Sequence, residues 1–182
     1  MNITLLVLGI SFMVLGEATA SYGLNYGIAV AVTLLLCKIV LCFLPNSISE
    51  RTACVVKLIL SMSFAVAVSY VTAPLFAVSI DKMFYVFPGA GAALINTVDN
   101  GKQGRKFIDV IKISFTVGSV SFFLGVLREI FASGSVFGNE IKLLSENTVG
   151  IFKLPFGGLL LLTAVSTAIY SISKHMGEYD GT

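Results

Sequence analysis

Six stretches of apolar residues follow one another along the chain, each of a length close to the roughly 17–25 residues that cross the hydrocarbon core of a bilayer. They cover residues 3–20, 27–44, 53–78, 83–98, 107–127 and 151–173. Only 12% of the residues are charged and 56% are hydrophobic, whereas soluble domains are about 25% charged. We therefore predict an all-α integral membrane protein with about six transmembrane helices, in a single polytopic domain of residues 1–182.

The first and fourth stretches differ from the others. Residues 18–20 imitate the cleavage site of a signal peptide, but no basic residue precedes the first apolar stretch, and we interpret it as a membrane helix. The fourth stretch is the shortest and contains Pro88, Gly89 and Gly91. Proline and glycine weaken a helix and free backbone groups that hydrocarbon cannot hydrate, so we predict an interruption near residues 88–91.

The distribution of basic residues predicts the orientation. Cytoplasmic loops of membrane proteins are enriched in Lys and Arg, and the connection at residues 99–106 carries Lys102, Arg105 and Lys106. With both termini cytoplasmic, Arg51 and Lys174 join these three on the inner side. The outer side then holds Lys82, Arg128, Lys142 and Lys153.

Two pairs of residues with the same spacing occur in the two halves of the chain. Gly9 and Glu17 have the same separation as Gly91 and Asp99, each pair ending an apolar stretch on an acidic residue. An inverted three-plus-three repeat, with broken first and fourth helices, would explain the shared spacing. Chance would explain it as well.

Several chemistries are excluded or weakened by the residues present. A net charge of +2 offers no basic face for nucleic acid. Cys37, Cys42 and Cys54 lack the spacing of a disulfide framework or a zinc site. Cys37 and Cys42 point to different helix faces, since five residues turn a helix through roughly 500°. His175, beyond the last stretch, is interpreted as an interfacial residue.

Ionisable residues inside membrane spans are functional candidates, because burying a charge in lipid is costly. These residues are Lys38, Lys57, Asp109 and Lys112, with Glu17 near an end. Most lie within two turns of a predicted end, where a long side chain reaches the interface. We interpret them as interfacial, with Lys38 the deepest.

A resemblance to a known family extends this reading. The stretch LREIFASGSVFG at residues 127–138 resembles a motif of the Rnf/Nqr membrane-subunit family, and more closely its RnfE/NqrD branch. Its residues Leu127, Arg128, Glu129, Gly134 and Gly138 are predicted to be structural. Other parts of the family pattern are matched in the same order by residues 8–10, 23–32 and 153–157.

The resemblance implies a subunit of a bacterial inner-membrane complex that couples electron transfer to Na⁺ or H⁺ movement. Its partners would be a related six-span subunit of opposite orientation and other Rnf/Nqr-type subunits. Such a complex carries flavins and a [2Fe–2S] cluster, which the family holds with one cysteine from each of two half-helices per subunit. The chain would be at most one subunit of an ion-translocating oxidoreductase, and we identify no catalytic residue.

This chain departs from the family at the cluster positions. Ser11 occupies the first, and Gly91 or Ala92 occupies the second. Since thiolates are the usual cluster ligands, we expect no cofactor on this chain alone.

Two other functions remain open. Small six-span components that capture vitamins for transporters have a similar length and number of spans. The third possible function is that of a membrane-bound assembly factor.

Overall fold

The computed structural model describes residues 7, 9–43, 49–75, 86–97, 107–140 and 150–179. Residues 9–11 are helical and lead into a short 3₁₀ helix, η1 (Phe12–Leu15). The α-helices that follow are α1 (Ala20–Cys42), α2 (Glu50–Leu75), α3 (Val86–Thr97), α4 (Phe107–Ser133) and, after a second 3₁₀ helix η2 (Gly150–Lys153), α5 (Pro155–Tyr179). A two-stranded hairpin, β1 (Ser135–Val136) and β2 (Asn139–Glu140), follows α4.

The helices are those of a membrane protein. Within the described residues, three helices, α1, α2 and α4, are long and apolar enough to cross a bilayer. Only 17% of the apolar window of α2 is buried inside the protein, and large side chains such as Tyr70, Leu75 and Phe115 are more than 70% exposed. In water these surfaces would be strongly unfavourable, so they face lipid. The predicted all-α, membrane-embedded class is confirmed.

Of the remaining predicted spans, the fourth is short in its described part and the sixth is a 25-residue helix. Helix α3 has 12 residues, and at about 1.5 Å per residue it is roughly 18 Å long, less than the ~30 Å hydrocarbon core. In α5 the apolar part covers Pro155–Ala168. The count of six spans stays a prediction, and the basic connection at residues 99–106 lies outside the described residues.

Helices α1 and α4 form the centre of the fold and run antiparallel. A Cβ added to Gly23 would lie 2.8 Å from the Ser121 carbonyl oxygen and 2.9 Å from the Gly125 Cα; one added to Gly27 would lie 2.8 Å from the Gly118 carbonyl oxygen. The two backbones therefore touch directly through glycines, as in other tightly packed membrane helix pairs.

The apolar core surrounds this helix pair. Tyr26, Val30 and Leu34 of α1 and Val117 and Leu124 of α4 are nearly inaccessible. The 9–15 segment and α3 add further buried side chains to the same cluster: Ile10, Met13, Val14, Ala92 and Ile95.

Three predicted boundaries are corrected by the structure. The first span was expected to reach residue 20, but helical structure ends at Leu15 and Thr19 caps α1, its hydroxyl accepting a 3.2 Å hydrogen bond from the Tyr22 amide. Helix α1 consequently begins at Ala20, seven residues before the apolar stretch. Likewise α4 continues to Ser133, because the charged residues after Leu127 find partners inside the protein.

The expected interruption of the fourth span at residues 88–91 is also wrong. Helix α3 runs unbroken from Val86 to Thr97. Pro88 lies in its first turn, where the backbone N–H groups have no partner within the helix, so the missing donor is tolerated. Gly89 and Gly91 serve close packing: an added Cβ on Gly89 would lie 2.8 Å from the Met62 sulfur.

Candidate functional site

Arg128 is a buried cation, 2% exposed, on the last third of α4. Its guanidinium donates hydrogen bonds to four backbone carbonyls. They belong to Val14 (2.9 Å), Gly16 (2.9 Å), Phe152 (3.0 Å) and Lys153 (3.2 Å). One side chain thus joins two segments that are more than a hundred residues apart.

These four carbonyls lie at the C-terminal ends of η1 and η2. The last carbonyls of a helix have no partner within it and carry partial negative charge. Where water is excluded, such groups need a hydrogen-bond donor within the protein. The planar guanidinium, with five N–H donors, supplies that donor to both ends at once.

Glu129, the next residue, is 3% exposed and accepts hydrogen bonds where Arg128 donates them. Its carboxylate accepts hydrogen bonds from the backbone N–H of Ala20 (2.6 Å), the Ser135 hydroxyl (3.1 Å) and the backbone N–H of Gly138 (2.9 Å). Ala20 begins α1, and a carboxylate is favoured at the positive N-terminal end of a helix. Glu129 therefore ties the start of α1 to the hairpin.

The hairpin reaches Glu129 because two glycines adopt left-handed conformations. Gly134, with φ 65°, ends α4, and its N–H donates to the Ile130 carbonyl, a common helix terminus. Phe137 (φ 51°) and Gly138 (φ 77°) form the two-residue turn between β1 and β2, as expected when both central residues are left-handed. The turn directs the Gly138 amide at the carboxylate.

A polar cleft of about 350 Å³ opens beside these contacts. It is lined by Glu17, Thr19, Ser21, Glu129, Ser133, Ser135, Phe137 and Gly138. Glu17 is exposed, whereas the Glu129 carboxylate is already engaged by three donors. The cleft therefore presents hydroxyls and one accessible carboxylate.

Of the motif residues predicted from the sequence, the structure brings Arg128, Glu129 and Gly138 into this network. Gly134 ends the helix beside it, and Leu127 is half-buried. Whether the five residues are structural or functional stays a prediction. The sequence placed Arg128 and Glu129 at the end of a span; they lie inside α4 instead.

A second cluster, here called the glycine junction, consists of Gly9, Tyr26 and Gly91. The Tyr26 hydroxyl, on α1, donates a 2.5 Å hydrogen bond to the Gly9 carbonyl. A Cβ added to Gly91, on α3, would overlap that hydroxyl and lie 2.6 Å from the same carbonyl. The short N-terminal helical segment and α3 thus meet against α1. The rings of Phe12 and Phe87, 6.5 Å apart, extend this contact.

The predicted cluster positions adjoin the glycine junction. Ser11 is half-buried and Ala92 is fully buried. None of Ser11, Gly91 and Ala92 carries a thiol, which is the usual ligand of a [2Fe–2S] cluster.

The three cysteines do not supply the missing thiols at these positions. Cys42 and Cys54 are exposed, and Cys37 is buried with its sulfur 3.5 Å from the Ser61 hydroxyl oxygen. Within the described part of the chain, no group of three or more His, Cys, Asp or Glu side chains could hold a metal ion. The residues present do not fit a cluster.

Ser61 is the centre of a smaller polar contact among α1, α2 and α3. It donates to the Lys57 carbonyl (2.7 Å) and accepts from the Asn96 side-chain amide (2.9 Å). Since the hydroxyl proton is used, the Cys37 thiol is the donor to Ser61. The cysteine is therefore satisfied as a packed polar residue.

The ionisable residues singled out within the apolar stretches are not fully buried. Lys38, Lys57 and Asp109 are half-buried, and Lys112 is exposed. Their interfacial role stays a prediction. Tyr26 and Thr19 were not predicted from the sequence, although the matched pair Gly9 and Gly91 lies around Tyr26.

No family model, curated protein or solved structure matches this chain.

Proposed function

We propose that this chain is a divergent membrane subunit of an Rnf/Nqr-type ion-translocating electron transport complex. The proposal starts from the motif at residues 127–138. Its two charged residues bind the ends of broken helical segments, and its two glycines form the helix end and the turn. The charged residues and the glycines of the motif thus each have a physical role in the structure.

The observation that carries the proposal is the glycine junction. The described part of the N-terminal segment and the 12-residue helix α3 meet at Gly9 and Gly91. The long helices that follow each of them, α1 and α4, pack antiparallel through Gly27 and Gly118. This arrangement supports an inverted three-plus-three repeat, with α2 and α5 as the third helices, and hence six spans.

The role within such a complex is structural or ion-conducting. The cluster positions carry no thiolate, so electrons would pass through other subunits that hold the [2Fe–2S] centre and the flavins. We assign no catalytic residue to this chain. Its place is the bacterial inner membrane, with both termini in the cytoplasm and a related subunit of opposite orientation beside it.

The direct test is to purify the tagged chain in mild detergent from the membranes of the organism that makes it. The expected result is co-purification of a second six-span protein of the same family, together with subunits that contain flavin and iron. The matched control is a tagged, unrelated membrane protein of the same length. A chain recovered without partners, in a detergent that preserves other complexes, would overturn the proposal.

The polar cleft favours one alternative, a substrate-binding component of a vitamin transporter. Its volume of about 350 Å³ lies within the range of small-molecule sites. Its lining is mostly polar, however, whereas such sites are mostly apolar. Mass spectrometry of the purified chain distinguishes the two functions: a retained vitamin-sized molecule, lost in Ser135→Leu, would favour transport.

A further inference from the structure

The glycine junction has no room for the side chain that a cluster ligand at position 91 would require. A Cβ on Gly91 would overlap the Tyr26 hydroxyl and lie 2.6 Å from the Gly9 carbonyl oxygen. Real Cβ atoms do not approach other atoms so closely, and a backbone carbonyl moves less readily than a flexible side chain. Any side chain at 91 must therefore displace both the Tyr26 hydroxyl and the Gly9 carbonyl of the N-terminal segment.

Tyr26 is held firmly where it lies. It is 1% exposed, and its hydroxyl finds its acceptor within the junction, in the Gly9 carbonyl. The surroundings are apolar, with Ile10 and Ala92 fully buried and Ile95 nearly so. In such an environment a lost hydroxyl–carbonyl bond is not replaced by water, so moving the tyrosine is unfavourable.

We infer that the Tyr26 hydroxyl, bonded to the Gly9 carbonyl and packed against Gly91, closes the glycine junction to a cofactor. The chain is then an electron-inert member of its complex. The redox part of this inference rests on the proposed function. The closing of the junction rests on the geometry of three residues.

The geometric part is tested by a double-mutant cycle on the detergent-purified chain. Gly91→Ala should lower the melting temperature by roughly 5 °C or more, because overpacked cores are destabilised. Tyr26→Phe removes the overlapping hydroxyl and leaves the ring carbon 3.4 Å from the new methyl group. It also releases the Gly9 carbonyl, 2.6 Å from that methyl group, from its hydrogen bond, so that the carbonyl can move away. The double variant should therefore be more stable than the sum of the two single effects.

The control is Gly118→Ala, a helical glycine whose added Cβ would meet nothing closer than 3.7 Å. It should show the same effect with or without Tyr26→Phe. Additive effects of Gly91→Ala and Tyr26→Phe would overturn the inference. If Gly91→Ala yields no folded protein, recovery of folded protein in the double variant supports it, and failure of the double variant beside a folded Tyr26→Phe overturns it.

The redox part is tested in the native complex with a cysteine-free chain carrying Cys37→Ala, Cys42→Ala and Cys54→Ala. Iron and acid-labile sulfide in the purified complex should equal those of the unmodified complex. A loss of iron at equal assembly would show that this chain supplies a ligand and would overturn the inference. If the chain is found to assemble with no partner, the proposed function is overturned but the geometric part of the inference is not. The double-mutant cycle is measured on the isolated chain and requires no partner.

Discussion

The carboxylate of Glu129 accepts a 2.6 Å hydrogen bond from the backbone N–H of Ala20, the first residue of α1. Arg128, the preceding residue, donates instead to carbonyls at the ends of η1 and η2. Neighbouring residues of α4 therefore serve helix ends of opposite polarity, each with the complementary charge. Their burial is stabilised by these contacts with the backbone.

Glu129→Gln should destabilise the protein. The carboxylate accepts three hydrogen bonds through both oxygens, whereas an amide would turn an NH₂ group toward one of the donors. We expect a loss of about 1–3 kcal/mol in the free energy of unfolding. Glu17→Gln is the matched control, since Glu17 lines the same cleft but is exposed. Equal effects of the two substitutions, measured by thermal unfolding in detergent, would contradict the assigned role.

Arg128→Lys should reduce the amount of folded protein even though the charge is kept. An ammonium group has three donors at one point and cannot reach four carbonyls on two segments. The expected loss is about 2–4 kcal/mol, because unpaired buried carbonyls remain. Arg51→Lys, at an exposed position of α2, is the control. Size-exclusion profiles of fluorescent fusions measure the effect. Normal assembly with abolished transport would instead make Arg128 functional.

Gly27→Ala should weaken the pairing of α1 with α4. The new Cβ would lie 2.8 Å from the Gly118 carbonyl oxygen and 2.9 Å from its Cα, so two backbones must separate. About 1–3 kcal/mol is the expected cost of such overpacking. The reciprocal change, Gly118→Ala, meets nothing closer than 3.7 Å and should be nearly neutral. Comparable melting temperatures for the two variants would disprove the backbone contact.

Substitutions of Gly138 should rank by their tolerance of a left-handed backbone. With φ 77° and no atom within 4 Å of an added Cβ, conformation alone decides the outcome. Asn visits this region readily and a β-branched residue does not. We expect Gly138→Asn to be close to the unmodified protein and Gly138→Val to lose about 1–2 kcal/mol. Thermal unfolding would reveal a different order if the turn were not left-handed.

The topology is tested with reporter fusions. Six spans place Lys102 and the C-terminus in the same compartment, the cytoplasm. Phosphatase and fluorescent-protein fusions at these two points should therefore give matching reports. If the two fusions reported opposite compartments, an odd number of spans would separate the two points and the count of six would be wrong.

The long helices could be predicted from the sequence, because apolar residues in runs of about twenty are sufficient for a membrane helix. Their ends could not. Helix α1 begins seven residues before its apolar stretch because Thr19 and Glu129 together supply acceptors for its first amides. A contact across 109 residues leaves no local signal in the sequence.

The candidate site was predicted in part. The motif at residues 127–138 drew attention to Arg128, Glu129 and the two glycines. Apart from the Ser135 hydroxyl, the partners of the two charged residues are backbone groups. Backbone groups are the same in every sequence, so the network could not be predicted from residue types. Tyr26 was missed for a related reason: an aromatic residue in an apolar stretch is ordinary until its hydroxyl is seen to face Gly9.

The spacing from Gly118 to Glu129 has a consequence for how the sequence can change. Each residue advances a helix by about 1.5 Å and turns it by about 100°. One residue inserted between these positions would direct Arg128 toward the amide of Ala20, and Leu127 would take the place of the guanidinium among the four carbonyls. The length of this stretch of α4 is therefore fixed: its lipid-facing side chains can be exchanged, but a residue can be neither inserted nor deleted.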